Sequence, residues 1–295
     1  IPVSGQVTHP VVPDTLATRI RRLAGEALAM AGFDEAVTFS FVDAVEAELF
    51  GHERCVTIDK LTRKTNNVLR PTLLPSLLSA CKTNQDAGND EVCLFEIAAC
   101  FPAAQGAGDG KDDDKKLPDE YTEVALVSTD DLAELRGALE TLAQHLAPRS
   151  SLTVSPRDYP HLAPGRAATV LLDGKAIGSI GQISEPILHH YGLERPIAAA
   201  AVRFQPLIDA AQLVRIYEPL PRFPAVRRDL SLIVDEPVTW QQLSEAIARI
   251  DQPPRQSLAY VTTYRGKPVP SGRKSVTVAL EYRAADRTLR REEVD

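Results

Sequence analysis

Residues 220–235 read Leu220-Pro-Arg-Phe-Pro-Ala-Val-Arg-Arg-Asp-Leu-Ser-Leu-Ile-Val-Asp235, and from here the chain changes character. The run 229–235 is apolar and bounded by acids, which predicts a strand. A helix is predicted over 239–250 and a second strand over 257–264. The turn-forming Gly266-Lys-Pro-Val-Pro-Ser-Gly272 is read as a loop, and 275–282 as a third strand. Glu292 begins another helix. The order β-α-β-β-α is that of a ferredoxin-like split βαβ unit without its last strand. Lacking that strand and most of the second helix, the sheet is left with an uncovered edge and face. The segment is therefore expected to be only marginally stable by itself.

Upstream, residues 1–13 read as an extended, Pro-rich connector. Asp14 is a predicted N-cap. Leu16, Ile20, Leu23, Ala27 and Met30 then follow at helical spacing, Gly32 supplies the stop, and Arg19, Arg21 and Arg22 lie off the apolar stripe. Val37, Phe39 and Phe41 alternate with Thr38 and Ser40, which predicts a strand. A helix is predicted over 69–83 with Pro71 in its first turn, a buried strand over 91–101, and a helix over 130–146. Strands follow near 167–173 and 175–181, with Gly174 at their tight turn. Strand-rich sequence continues to about 205, and 206–216 is read as a linker. Ile1 opens inside a connector and Arg291-Glu-Glu-Val-Asp295 reads as a first helical turn, so the chain reads as a fragment at both ends.

The chain has 295 residues, 44% of them hydrophobic and 25% charged, enough for two domains of ordinary size. There is no run of 18 apolar residues and no secretion pattern, so neither a membrane span nor export is expected. The cysteines at 55, 81, 93 and 100 make no C-x-x-C pair and have no His pair at zinc spacing, so they read as thiols in a reducing cytoplasm. The adjacent His189 and His190 would point in different directions on a helix. No metal or cofactor site is expected. The net charge of −7 is unevenly spread: residues 215–295 carry 14 Lys/Arg against 11 Asp/Glu, and the rest carry 19 against 29. Only the second part has a balance suited to nucleic acid.

Several catalytic patterns fail on inspection. The 103–118 stretch is no P-loop, because Gln105 stands where the first Gly is needed and Asp112 follows the Lys. It is no calcium loop either, because Asp114 occupies the position that needs Gly. It reads as a polar, Gly-rich loop. No G-x-S-x-G elbow exists. His161 with Arg157 and Asp158 is the only locally suggestive cluster, and it reads as structural.

Two constellations carry more. The first comprises Phe33-Asp-Glu-Ala-Val-Thr-Phe-Ser-Phe-Val42, Leu69-Arg-Pro-Thr-Leu-Leu-Pro-Ser-Leu-Leu78, Asn84, Leu94-Phe-Glu-Ile-Ala98, Ala163-Pro-Gly-Arg-Ala-Ala168 and Ile177-Gly-Ser-Ile-Gly181. The second comprises residues 220–230, Tyr264-Arg-Gly266, Gly272-Arg-Lys-Ser275 and Arg287-Thr-Leu289. Together they resemble bacterial phenylalanyl-tRNA synthetase β chains over nearly the whole length, in the right order. The chain departs from the usual pattern at Asp59-Lys-Leu61, Gln85-Asp-Ala-Gly88 and Glu96-Ile-Ala98.

The resemblance implies an α+β architecture. Residues 14–205 would form a class II synthetase-like antiparallel sheet with flanking helices, and 217–295 a C-terminally truncated ferredoxin-fold anticodon-binding domain. It also implies a non-catalytic β subunit: assembly with an α subunit as (αβ)2, tRNA(Phe) as partner, and ATP and magnesium used by the assembly but not by these residues. Class II adenylation needs an arginine beside the core strand and another after a Gly-rich segment, where preorganised positive charge holds the phosphates. Residues 91–101 contain no Arg, no Arg follows 177–181 within five residues, and Arg70 and Arg166 fall on other elements in this reading. Residues 1–205 are therefore expected not to adenylate phenylalanine. Arg19, Arg22, Leu23 and Phe39 are the candidate subunit interface, favoured by the three arginines beside the apolar stripe; helix 14–31 covering its own sheet is the competing reading. Arg222, Arg227, Arg228, Arg265, Arg273 and Lys274 are the candidate tRNA contacts at one rim of a sheet, with Phe223, Tyr260 or Tyr264 to stack on bases. Pairing of Arg227 or Arg228 with Asp229 or Glu281 is the competing reading. A stand-alone regulatory or binding module is the alternative for the whole chain.

Overall fold

The computed structural model describes residues 14–52, 55–59, 61–103, 119–129, 131–214, 217, 219–252 and 254–294. The readings of 1–13 as a connector and of 104–118 as most of a loop lie outside them. The chain forms two compact units, Ile1–Arg215 and Ile216–Asp295.

The first unit begins with α1 (Leu16–Met30), β1 (Asp34–Glu35), β2 (Phe41–Val42), α2 (Ala44–Leu49), β3 (Val68–Leu69) and α3 (Leu74–Asp86). It continues with β4 (Cys93–Cys100), β5 (Tyr121–Ser128), α4 (Leu132–Leu146), β6 (Leu152–Pro156), β7 (Leu162–Leu172) and β8 (Lys175–Ile183). It closes with α5 (Glu185–Tyr191), β9 (Ala198–Arg203) and α6 (Gln205–Ala210). Seven strands form one sheet in the order β1-β4-β5-β9-β8-β7-β6. All its pairs are antiparallel except the short edge pair β1–β4, which is parallel. Helices cover both faces, so central strands are buried on both sides and lose the polar half of the alternation. In β5, Val124 and Leu126 pack in one cluster with Ile20 and Leu28 of α1 and Leu135, Leu139 and Leu142 of α4. Ala125 and Val127 pack in the other, with Leu77 and Leu78 of α3 and Ile187 of α5.

Several boundaries differ from those read in the sequence. Thr15, not Asp14, caps α1: its hydroxyl accepts from the Thr18 N–H at 3.2 Å, while Asp14 pairs with Arg22. The alternation at 37–41 does not make one strand. The Ala36 N–H donates to Phe95 O and the Thr38 N–H reaches the Glu96 side chain, leaving Val37 and Phe39 91% and 84% exposed. The helix expected from 69 starts at Leu74, with Pro75 in its first turn. Residues 69 and 70 are already engaged: Leu69 donates to Val56 O, and Arg70 donates to Ser40 O and accepts from Phe101. The strands β5 and β6, and the helices α2 and α5, were not read from the sequence; α5 interrupts what reads as strand-rich sequence. The expected linker at 206–216 contains most of α6, whose Leu207 is 1% exposed in the core. The β7–β8 turn is as read, with Asp173 and Gly174 at φ 50° and 77°, the left-handed pair of a type I′ hairpin.

The second unit contains β10 (Val226–Asp235), α7 (Trp240–Ala248), β11 (Arg255–Tyr264) and β12 (Arg273–Tyr282), then a 3-10 turn at Arg291–Glu293 where an α-helix was expected. Its sheet has the order β10-β12-β11, antiparallel throughout. Thr239 and Gln242 form a capping box at the start of α7. Leu243 and Ile247 of α7 pack on Leu232, Val276 and Val278, and Leu289 packs with Leu280 and Tyr282. One face is thus covered. The other carries Arg227, Asp229, Ser231, Ile233 and Asp235, all exposed.

Candidate functional site

In the second unit the six predicted basic residues do not form one rim. β10 and β12 are antiparallel, so their starts lie at opposite ends of the sheet: Arg227 is opposite Glu281, and Arg273 is opposite Asp235. At about 3.3 Å per residue, Arg227 and Asp235 are roughly 26 Å apart along β10. Arg265, Arg273 and Lys274 gather at one end, with Arg227 and Arg228 near the other. Arg222 is exposed ahead of β10.

Most of these cations have a local partner. Arg227 Nε is 3.1 Å from Asp229 Oδ1, and Arg273 Nε is 3.0 Å from Asp235 Oδ1. Arg265 places Nε and Nη2 at 2.9 and 2.8 Å from Glu236 Oε1, and Lys274 Nζ donates to the Glu236 carbonyl at 2.8 Å. The Arg265 hydrogen bond holds the Glu236 carboxyl below its usual range, and Glu236 raises Arg265 in return. Arg228 is half-buried and donates to the Arg227 carbonyl at 3.2 Å. Exposed, solvent-screened ion pairs of this kind contribute little, so an incoming phosphate can displace them.

The aromatics also separate. Tyr264 and Ile233 both lie opposite Ser275, so they share the open face, and they are 52% and 54% exposed. Tyr260 instead lies opposite Val278 and packs edge-on against Trp240 of α7. Ile233 was missed in the sequence because it lies inside the apolar run Leu232-Ile-Val234, where neighbouring residues do not reveal which face is open.

In the first unit, Arg19 and Arg22 are exposed on α1. Leu23 is half-buried and packs on the core, so it covers its own sheet. Arg21 donates to the Ile97 carbonyl of β4. Phe39 stands on a different surface. With Val37, Phe41 and Val45 it lines a groove of about 790 Å³ whose other wall includes Ser76, Ala80 and Thr83 of α3.

Comparison with known proteins identifies the family of each part of the chain. The family model described as "Phenylalanyl tRNA synthetase beta chain CLM domain" matches residues 1–204, and that described as "Ferredoxin-fold anticodon binding domain" matches 221–295. The chain belongs to the phenylalanyl-tRNA synthetase β-chain family. It is 29% identical to the phenylalanine–tRNA ligase β subunit of Symbiobacterium thermophilum, over 94% of this chain and 32% of that protein. To the β subunit of Staphylococcus aureus strain N315 it is 30% identical, over 100% of this chain and 37% of that protein. The chain thus spans about a third of the curated relatives it matches. A pyrrolysyl-tRNA synthetase from Desulfitobacterium hafniense superposes with a TM-score of 0.50 at 17% identity, covering 64% of each chain, and so shares the synthetase fold.

Within this β-chain fold, an arginine does lie beside the core strand, contrary to the sequence reading. Arg70 reaches β4 from the segment after β3. Its Nε donates to Ala99 O at 3.0 Å, and its Nη1 to Thr38 Oγ1 at 2.9 Å and Glu96 Oε1 at 3.0 Å. Thr38 Oγ1, itself half-buried, donates to Glu96 Oε2 at 2.6 Å, closing a triangle around the buried Arg70–Glu96 pair. The guanidinium is held inside the protein, out of reach of a nucleotide. Arg166, on β7, is exposed and donates to Gln182 at 2.6 Å. Among the described residues no group of three or more His, Cys, Asp or Glu is placed to hold a metal, and no helix is long and apolar enough to cross a membrane. None of the four cysteines, all among the described residues, is in a disulfide, and burial pushes the Cys81 thiol up to about 11 and Cys100 further.

Proposed function

We propose that this chain is the assembly and tRNA-binding portion of the β subunit of a phenylalanine–tRNA ligase, acting in the cytoplasm, and that it does not itself adenylate phenylalanine. The observation that carries this reading is the pairing, in one chain, of the β-chain domain and the anticodon-binding domain in sequence order. The internal commitment of Arg70 supports the absence of adenylation: this buried arginine beside the core strand is paired with Glu96. In the proposed assembly, (αβ)2, an α subunit handles ATP, magnesium and phenylalanine. Arg19, Arg22 and Phe39 lie on surfaces facing that subunit, and the open face of β10, β12 and β11 faces tRNA(Phe).

The test is reconstitution. The β subunit containing this chain, co-expressed with its α subunit, is expected to co-elute as a heterotetramer and to charge tRNA(Phe) with phenylalanine. This chain alone is expected to show no phenylalanine-dependent exchange of pyrophosphate into ATP. Exchange by the isolated chain, or failure of the two subunits to co-elute, overturns the reading.

A further inference from the structure

The sheet face under α3 and α5 holds a second cavity, of about 270 Å³, unrelated to either surface above. It exists because one row of cross-strand neighbours is too small to fill it. Ala201, Ser179 and Thr169 lie side by side across β9, β8 and β7, whereas protein interiors otherwise leave few voids larger than a water molecule.

The walls are chemically distinctive. The Phe50 and Tyr159 rings flank His161 at centroid distances of 5.6 and 5.7 Å. His161 Nε2 is buried and has no hydrogen-bond partner. Burial, helped by nearby His52, pushes the imidazole down to about 4, so it is neutral near pH 7. Two exposed arginines stand at the mouth. Arg203 lies 4.8 Å over the Tyr121 ring and Arg157 5.4 Å over the Tyr159 ring, and among the described residues neither guanidinium is ion-paired. The acid in the wall, Glu123, does not cancel them. It is held by the Thr72 hydroxyl and the Leu73 N–H, each at 2.7 Å, and by the Tyr121 hydroxyl at 3.0 Å, and burial raises it. The cavity is therefore aromatic-walled, cationic at its mouth, and holds one polar atom in need of a partner.

We propose that this cavity binds a small organic carboxylate with a flat, apolar body, the carboxylate held by Arg157 and Arg203 and a polar substituent paired with His161 Nε2. Mostly apolar lining with a few placed polar groups is the usual make-up of a small-molecule site, and a planar guanidinium suits carboxylate recognition. The site lies within the first unit.

The probe is 4-hydroxybenzoate, titrated into the whole chain by calorimetry and by ligand-observed NMR, with benzoate and phenol as controls. Saturable binding is expected, with phenol at least tenfold weaker for want of the carboxylate and benzoate severalfold weaker for want of the hydroxyl. Arg203→Ala and Arg157→Ala are each expected to weaken 4-hydroxybenzoate about tenfold. His161→Phe is expected to abolish its advantage over benzoate. Both arginines are on the surface, so their variants should retain the wild-type circular dichroism spectrum; Arg203→Lys, which keeps the charge but not the planar fork, serves as a further check with intermediate affinity. Absence of saturable binding, equal binding of phenol, or unchanged affinity in both arginine variants overturns the proposal.

Discussion

Arg70 and Glu96 meet at 3.0 Å with side chains only 3% and 5% exposed, joining the segment before α3 to the core strand β4. Removing one partner of such a pair leaves an uncompensated buried charge, which costs about 3–5 kcal/mol, whereas replacing both with apolar groups is often neutral. Arg70→Met is therefore expected to lower the urea unfolding midpoint sharply, and Arg70→Met/Glu96→Leu to recover much of the loss. Equal midpoints for the wild type and Arg70→Met would show that the pair contributes nothing to stability.

His161 supplies a pH dependence. Its folded pKa of about 4 lies below the unfolded value of 6.5. Between those values the unfolded chain binds the proton and the folded chain does not. The contribution is fully present above about pH 6.5 and is lost as pH falls toward 4. The whole shift corresponds to at most about 3.4 kcal/mol. Thermal unfolding between pH 7 and 5 is expected to show the wild type losing stability faster than His161→Gln; parallel curves would assign the acid sensitivity to other groups.

The order of elements in the second unit was legible because each strand there has one covered face, and Thr239 and Gln242 mark the start of α7 directly. The first unit was harder to read for two physical reasons. β5, buried on both faces, lacks the alternation that marks a half-buried strand. Conversely, Val37, Phe39 and Phe41 alternate in sequence, yet the backbone around them bonds to β4 and to the Glu96 side chain, so the alternation faces a groove. Arg70 was read from its position along the chain, which does not show how far a guanidinium reaches across to β4. Arg227, Arg228, Arg273 and Lys274 do lie at strand starts, but the antiparallel pairing of β10 and β12 puts those starts at opposite ends of the sheet, and Arg265 joins the second group only because it follows the end of β11.

Arg265 is held by Glu236, and that restraint is testable. If Arg265 serves tRNA, Glu236→Gln frees one phosphate contact. Each such contact changes the slope of log K against log salt by about 0.7–0.9. Glu236→Gln is thus expected to tighten tRNA binding at low salt and to steepen the slope by about that amount. Arg265→Ala introduced into Glu236→Gln should cancel the gain. If the single and double variants bind alike, Arg265 makes no contact with tRNA.

Phe39 separates folding from assembly. At 84% exposure it loses almost no packing when replaced, so Phe39→Asp is expected to shift stability by less than about 0.5 kcal/mol, as surface changes usually do. Truncating an aromatic anchor buried at an interface costs about 2 kcal/mol or more, and a charge placed in its pocket adds a desolvation penalty. If the groove beside α3 receives the α subunit, Phe39→Asp should weaken co-elution by at least about thirtyfold while leaving the unfolding midpoint of this chain in place. Arg19→Ala, on the other surface, should have a smaller effect, because rim charges act mainly on association rate and salt dependence. If Arg19→Ala weakens association more than Phe39→Asp, then α1 and not the groove makes the principal contact.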